Sequence, residues 1–322
     1  MSFFDIDDAQ IAALLAEIDA IDSKAEPEPE PGYFSPLPPD LSRYRFSCRV
    51  DTILLEIETE QPCKRPALLE ATGSNYARSL DKESFEDGHG SCRWYLKLED
   101  PTIESIELTL DAVRSRWGLK SENPALVWLD VALDARLKGL DARRNPEKQN
   151  ALEAYEPLFA LWLRSLKPDC SRKWPSSWSS WRFVGYMAGM PVPEDVAFPE
   201  YGVVAYVGEV PDYPDAPIDS SFFRMYWKFE DMGQTLDATD CRARLECRIG
   251  RGGLDAVGLL TVADLQGFKW RKFASWFKFA DSRNLPTPVV AHHSTIMQLG
   301  LPVRYDARLN RLANDALFRI KL

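Results

Sequence analysis

The chain has 322 residues, is 45% hydrophobic and carries 10 Trp and 16 Phe, which is apolar material for a sizeable core in one large or two modest domains. Its net charge of −10 argues against a uniformly basic, nucleic-acid-coating protein, although the charge is unevenly placed. No apolar run approaches the ~20 residues of a membrane helix, and Met1-Ser2-Phe3-Phe4-Asp5 lacks the basic region of a secretory leader, so a cytoplasmic chain without membrane contact is expected.

Ile11, Leu14, Leu15, Ile18 and Ile21 follow helical spacing, predicting a short acidic amphipathic helix over 7–21. Glu26-Pro27-Glu28-Pro29-Glu30-Pro31-Gly32 then reads as an extended linker, because alternating Pro blocks helix and like charges repel. Residues 1–32 hold nine acidic side chains against Lys24 alone, whereas residues 222–311 hold 14 Lys/Arg and 9 Asp/Glu. The acidic balance therefore belongs to the tail, and the C-terminal third is locally basic. The tail reads as a solvated appendage; the alternatives are a partner-binding helix or a segment competing with DNA for a basic face.

The body begins near Tyr33. Strands are expected over 50–58 and 92–98, the latter stopped by Asp100-Pro101. Thr102 then caps a helix to about Arg116, with Ile103, Ile106, Leu110 and Val113 on one side. A strand over 125–134 follows, then a helix over 149–166 that Pro157 should kink or split. Residues 167–200 read as a long Pro- and Ser-rich loop. Strands are expected at 202–208, 221–229 and 241–249, then largely helical chain over 253–281, a Pro-broken loop and a helix from about 305. Antiparallel-compatible strands with interspersed helices predict an α+β protein around a central antiparallel sheet. The divisions are 1–32 as tail and linker, 33–250 as the α+β domain and 251–322 as a helical C-terminal region.

Two neighbouring strands carry the most distinctive chemistry. In Phe222–Lys228 the period of two puts Arg224, Tyr226 and Lys228 on one face; in Arg242–Arg248 it does the same for Arg242, Arg244, Glu246 and Arg248. A tyrosine among cations suits attack on a phosphodiester, with the bond energy conserved as phosphotyrosine. Arg224, Lys228 and a metal would lower its pKa. The structural alternative is a tyrosine packed against aromatic neighbours, and Tyr201, Tyr206 and Tyr213 are rivals for the chemical role. Glu246 is either a ligand for Mg²⁺ or Mn²⁺ or part of a cross-strand ion-pair ladder. Asp130 and Asp134 share a face of their strand, and a mid-strand carboxylate needs either a metal or an arginine of the 241–248 strand.

Leu265, Phe268, Phe273, Trp276 and Ala280 form an apolar stripe, leaving Lys269, Arg271, Lys272 and Lys278 toward its margin and back as phosphate contacts or as a solvated face. His292-His293 are adjacent and read as loop residues, and Arg251-Gly252-Gly253 reads as a turn too short for a phosphate loop. Cys48, Cys63, Cys92, Cys170, Cys241 and Cys247 lack paired metal-site spacing and read as reduced core cysteines.

The order of these segments resembles the replication initiation factor family of rolling-circle plasmids, filamentous phages and related mobile elements. It runs Leu129-Asp130-Val131-Ala132-Leu133-Asp134, Tyr201-Gly202-Val203 to Tyr206-Val207-Gly208, Arg224-Met225-Tyr226-Trp227-Lys228, then Arg244-Leu245-Glu246-Cys247-Arg248. Ala243-Arg244-Leu245-Glu246, followed by Gly258-Leu259-Leu260-Thr261-Val262-Ala263-Asp264-Leu265-Gln266-Gly267-Phe268, is similar to the phage-type initiators, and the likeness spans about residues 45–320. The resemblance implies a sheet of the replication-initiator, HUH-like type. It implies a protein that binds a double-strand origin, nicks one strand through tyrosine with Mg²⁺ or Mn²⁺, and rejoins it by a second transfer. Tyr226 falls on the tyrosine of the Arg-x-Tyr-x-Lys motif, Arg224, Lys228 and Arg244 would hold phosphate, and Asp130, Asp134 and Glu246 fall on acidic positions. A host helicase and a homodimer are partners that the resemblance admits. The chain departs from the pattern at Trp227 and Phe229-Glu230, which stand where an acidic residue often follows the tyrosine, and it lacks the His-hydrophobe-His motif of the broader endonuclease class. A non-catalytic DNA-binding or regulatory protein of a mobile element is the alternative, and a partner-binding protein working through its acidic tail is a third.

Overall fold

The computed structural model describes residues 39–81, 90–139, 148–166, 182–185, 203–208, 221–231, 234–279 and 306–322. The expected tail helix and linker, most of the 167–200 loop, Cys170, Tyr201, Tyr213, Ala280 and His292-His293 lie outside them, as does the side chain of Tyr206. The described chain is α+β. Its strands are β1 (Tyr44–Cys63), β2 (Ala77–Ser79), β3 (Ser91–Glu99), β4 (Ala125–Leu137), β5 (Arg182–Gly185), β6 (Val203–Gly208), β7 (Phe222–Lys228), β8 (Glu230–Asp231), β9 (Gln234–Thr235) and β10 (Arg242–Gly250). Its helices are α1 (Arg65–Thr72), α2 (Ile103–Trp117), α3 (Lys148–Ser165), α4 (Arg251–Val257) and α5 (Ala307–Phe318).

Eight strands form one sheet in the order β2-β3-β1-β4-β10-β7-β6-β5, with every pairing antiparallel, and β8 and β9 form a separate ribbon. Alternation gives the sheet two unlike faces. Ile53, Leu55, Leu129, Val131, Leu133, Phe223, Met225, Ala243, Leu245 and Cys247 point to the helices and lie in one core with Ile106, Leu110 and Val113 of α2. The same core takes Leu158, Phe159 and Trp162 of α3, Leu254 of α4 and Leu309, Ala313 and Leu317 of α5. The region after residue 250 thus shares the core of the sheet rather than forming one of its own. Tyr155 ties α3 to the sheet: its hydroxyl accepts from Leu137 N (3.1 Å) and donates to Cys241 O (2.9 Å).

Thr102 caps α2 as expected, in a capping box with Ser105. Other boundaries differ. β1 begins six residues before its expected start at Val50, because Tyr44, Phe46 and Cys48 continue the inward alternation across Arg45, Ser47 and Arg49. α3 runs through Pro157 as one helix, since Tyr155, Leu158, Phe159 and Trp162 bury its face on both sides of the proline. A short strand, β5, lies inside the stretch expected to be loop. Arg251-Gly252-Gly253 opens α4 rather than forming a turn, and the expected helix over 253–281 is instead α4 and two short 3₁₀ turns, Val262–Leu265 and Trp270–Ser275. Left-handed Gly258 (φ 70°) ends α4 and Gly267 (φ 73°) separates the turns, while Leu265, Trp270, Phe273 and Trp276 still reach the core. Cys48, Cys63, Cys92, Cys241 and Cys247 are free thiols, and no described helix is long and apolar enough to cross a membrane.

Candidate functional site

The second face of the sheet is built from charge. Register sorts its side chains into rows across β1, β4, β10 and β7. One row is Ser47, Asp134, Arg244 and Tyr226; the next is Arg49, Ala132, Glu246 and Arg224; the third is Thr52, Asp130, Arg248 and Phe222. These charges are not solvated. Arg244 and Glu246 are fully buried, and Asp130 and Asp134 are each 1% exposed, so each requires a partner of opposite sign.

The partners are present and mostly two-pronged. Arg244 donates Nε to Asp134 Oδ1 (2.6 Å) and Nη2 to Asp134 Oδ2 (2.9 Å). Arg248 does the same for Asp130 (2.9 and 2.8 Å), with its guanidinium 3.7 Å from the Trp128 ring and 4.9 Å from that of Phe222. Arg224 grips Glu246 (2.7 and 2.5 Å) and reaches Asp130 Oδ2 at 3.5 Å. Tyr226 donates its hydroxyl to Glu246 Oε2 at 2.9 Å. Lys228 pairs outward with Asp231 at 2.9 Å.

This geometry gathers the residues singled out from sequence into two linked sets on one face, Tyr226, Glu246, Arg224, Asp130 and Arg248 in the first and Arg244 with Asp134 in the second, in the adjoining register row. Each carboxylate faces a guanidinium. Asp130 and Asp134 take the arginine partners from the 241–248 strand, and Glu246 takes the cross-strand pair. Guanidinium groups hold oxygens of all three, and among the described residues no group of three His, Cys, Asp or Glu is placed to hold an ion.

The expected lowering of the tyrosine pKa is also corrected. Burial and the adjacent Glu246 carboxylate push the Tyr226 hydroxyl well above its ordinary value, outweighing Arg244 and Arg224. Tyr226 is hydrogen-bonded to the carboxylate rather than packed in an aromatic cluster. Burial likewise raises Glu246 despite Arg224, which makes it a stronger base than a solvated glutamate.

One member of the patch was not foreseen. Asp51 occupies a β-bulge between the pairs Val50–Val131 and Thr52–Asp130, and the extra residue turns its carboxylate toward Arg244 and, at 3.3 Å, Arg49. Burial raises Asp51, but Arg244, Lys228, Arg49 and Arg224 together hold it far below the usual carboxylate range. The signal was a break in alternation: Val50 and Ile53 both point inward although three positions apart. The cations of the expected phosphate-contacting helix lie elsewhere. Lys269, Arg271 and Lys272 are exposed beside or on a 3₁₀ turn, and Lys272 donates to Val257 O (2.7 Å), closing the end of α4. Lys278 is half-buried.

No protein-family model and no curated protein sequence matches this chain. The functional reading therefore rests on the patch itself and on the order of its motifs.

Proposed function

We propose that the chain is a rolling-circle replication initiator that nicks and rejoins one DNA strand through Tyr226. The observation that carries this reading is the 2.9 Å hydrogen bond from the Tyr226 hydroxyl to Glu246, between the neighbouring strands β7 and β10 of an arginine-rich sheet face. A nucleophile needs an acceptor for its proton within hydrogen-bond reach, and a basic, buried carboxylate supplies one. Tyr226 Oη attacks phosphorus while its proton passes to Glu246. The bond from phosphorus to the 3′ oxygen breaks, leaving a free 3′ hydroxyl once protonated and a 5′ phosphotyrosine. Arg224, 25% exposed and 5.9 Å from the Tyr226 ring, would face the negative charge that builds on the phosphoryl oxygens, with the buried Arg244 behind it on the paired strand. Attack by a 3′ hydroxyl on the phosphotyrosine reverses the sequence and rejoins the strand. The resemblance of the sheet to the replication-initiator type, a cytoplasmic location and an acidic regulatory tail belong to the same proposal.

The test is covalent capture. The full chain is incubated with supercoiled plasmid and with a pool of single-stranded oligonucleotides, with Mg²⁺, Mn²⁺ or chelator, and digested for mass spectrometry. The expected product is a nucleotide adduct on the peptide containing Tyr226, absent from Tyr226→Phe. An adduct on another tyrosine would preserve the function and remove the site.

A second reading has its own observation. Every carboxylate of the patch is already engaged by a guanidinium, and Tyr226 is held protonated. A protein that binds DNA without cutting it would retain such a face as structure. Salt-dependent DNA binding with no adduct under any metal condition favours that reading.

A further inference from the structure

One row of the charged face takes no part in the chemistry above. On β1 and β4, Arg45 faces Arg136; on β10 and β7, Arg242 faces Lys228; Ala243 opposite Ala135 sets the two pairs side by side. Four cations thus cross four neighbouring strands in a single line at one end of the patch. Like charges placed directly opposite one another destabilise a sheet, so the row demands compensation.

Among the described residues the compensation is incomplete. Asp134 lies 3.2 Å from Arg242 Nε and 3.8 Å from Arg136 Nη2, but its oxygens already accept both hydrogen bonds from Arg244. Asp231 serves Lys228 at 2.9 Å and Arg242 at 3.5 Å. Arg136 donates to Ser47 Oγ (3.2 Å) and Arg242 to Asp240 O (2.9 Å), both neutral acceptors. Arg45 is exposed and pairs with no described residue. Arg242 Nε is buried and makes no hydrogen bond, only the ion pair with Asp134. Burial pulls the Arg242 pKa below its ordinary value, and Arg244, Arg136 and Arg49 add to that pull against the attraction of Asp134. The row opens to solvent at its β1 end, where the Arg136 side chain is 21% exposed and Arg45 lies on the surface.

We propose that this row, Arg45, Arg136, Arg242 and Lys228, binds the phosphate backbone of a single DNA strand, one register row away from Tyr226. It rests on the nicking reading for its direction: Lys228 follows Tyr226 on the same face by two residues, about 7 Å of strand. The strand would run over Arg45 and Arg136 toward Lys228, with the buried Arg242 adding its charge from beneath. The bound phosphates supply the negative charge that Asp134 and Asp231 do not.

The experiment separates this row from the chemistry by working in the full-length Tyr226→Phe chain, which lacks the proposed nucleophile. Fluorescence anisotropy of a labelled single-stranded oligonucleotide is followed across a salt series for that parent and for added Arg45→Gln, Arg45→Lys and the double change Arg45→Gln/Arg136→Gln. Each lost phosphate contact lowers the slope of log K against log salt by about 0.7 for a single strand. Arg45→Gln is expected to lose about one such step and the double variant about two, with Arg45→Lys retaining the parent slope. Arg45 has no described partner, so its replacement leaves the fold intact, which a thermal melt verifies. A parent slope in both Gln variants, or no binding of single-stranded DNA by the parent, overturns the row. Those outcomes leave the nicking reading to the Tyr226 adduct; an adduct missing from the wild-type chain while the slopes fall as expected removes nicking and keeps the row.

Discussion

Asp134 and Glu246 are both buried carboxylates gripped by arginine, yet their environments push them in opposite directions. Burial raises Asp134, but Arg244, Arg242 and Arg136 overcome it and hold the group below the usual range. A folded-state pKa below the unfolded one contributes stability above the unfolded value, about 3.9 for Asp, and that stability is lost as pH falls through the folded value. Glu246 is raised, so the folded state favours its neutral form, and its contribution is lost as pH climbs through that raised value. Two substitutions should therefore differ. Asp134→Asn leaves the fully buried Arg244 short of a charge partner and is expected to cost about 3–5 kcal/mol, measured by urea unfolding at pH 7. Its acid-unfolding limb below about pH 4 should also flatten relative to wild type. Glu246→Gln leaves Arg224, 25% exposed, with Asp130 as its remaining charge partner, so its cost should be smaller. Equal losses in the two variants would refute the opposed environments.

Within the elements, α4 offers a sharp contrast between adjacent glycines. A Cβ on Gly252 would meet nothing within 4 Å, whereas one on Gly253 would lie 2.7 Å from Ile249 Cγ2 and 2.8 Å from the Trp276 ring. Gly252→Ala should stabilise the protein by up to about 1 kcal/mol, the helix-propensity difference. Gly253→Ala gains the same propensity but must displace two packed side chains, and overpacking costs about 1–3 kcal/mol. Thermal denaturation should show the first variant melting above wild type and the second below it. β1, β3, β4, β6, β7, β10 and α2 were legible from local pattern because alternation, the Thr102 cap and the 3.6-residue stripe are properties of neighbouring residues. The breakup of 253–281 was not, because its aromatic spacing suits helix or 3₁₀ turn, and left-handed Gly258 and Gly267 decided between them. β5 was hidden for another reason: its short Phe-Val segment becomes a strand through pairing with β6.

At the scale of the whole molecule, α5 closes the core from the far end of the chain. Leu309 and Leu317 are fully buried against the same cluster as β1 and β4. Leu317→Ala is expected to cost about 2–5 kcal/mol and to lower one unfolding transition that tryptophan fluorescence and far-UV circular dichroism report together. A variant that melts α5 alone, with the sheet transition unmoved, would show the C-terminal region to be an independent unit. The sequence by itself determined which residues share a face: Arg224 with Tyr226 and Lys228, Arg244 with Glu246, and Asp130 with Asp134. Only the tertiary structure decided how those faces meet, because pairing is set by strand order and register, which connect residues as far apart as Asp51 and Arg244. The tyrosine's state was likewise undecided by its neighbours in the chain. Local cations predict a lowered pKa, but burial and the carboxylate of Glu246, delivered by β10, raise it.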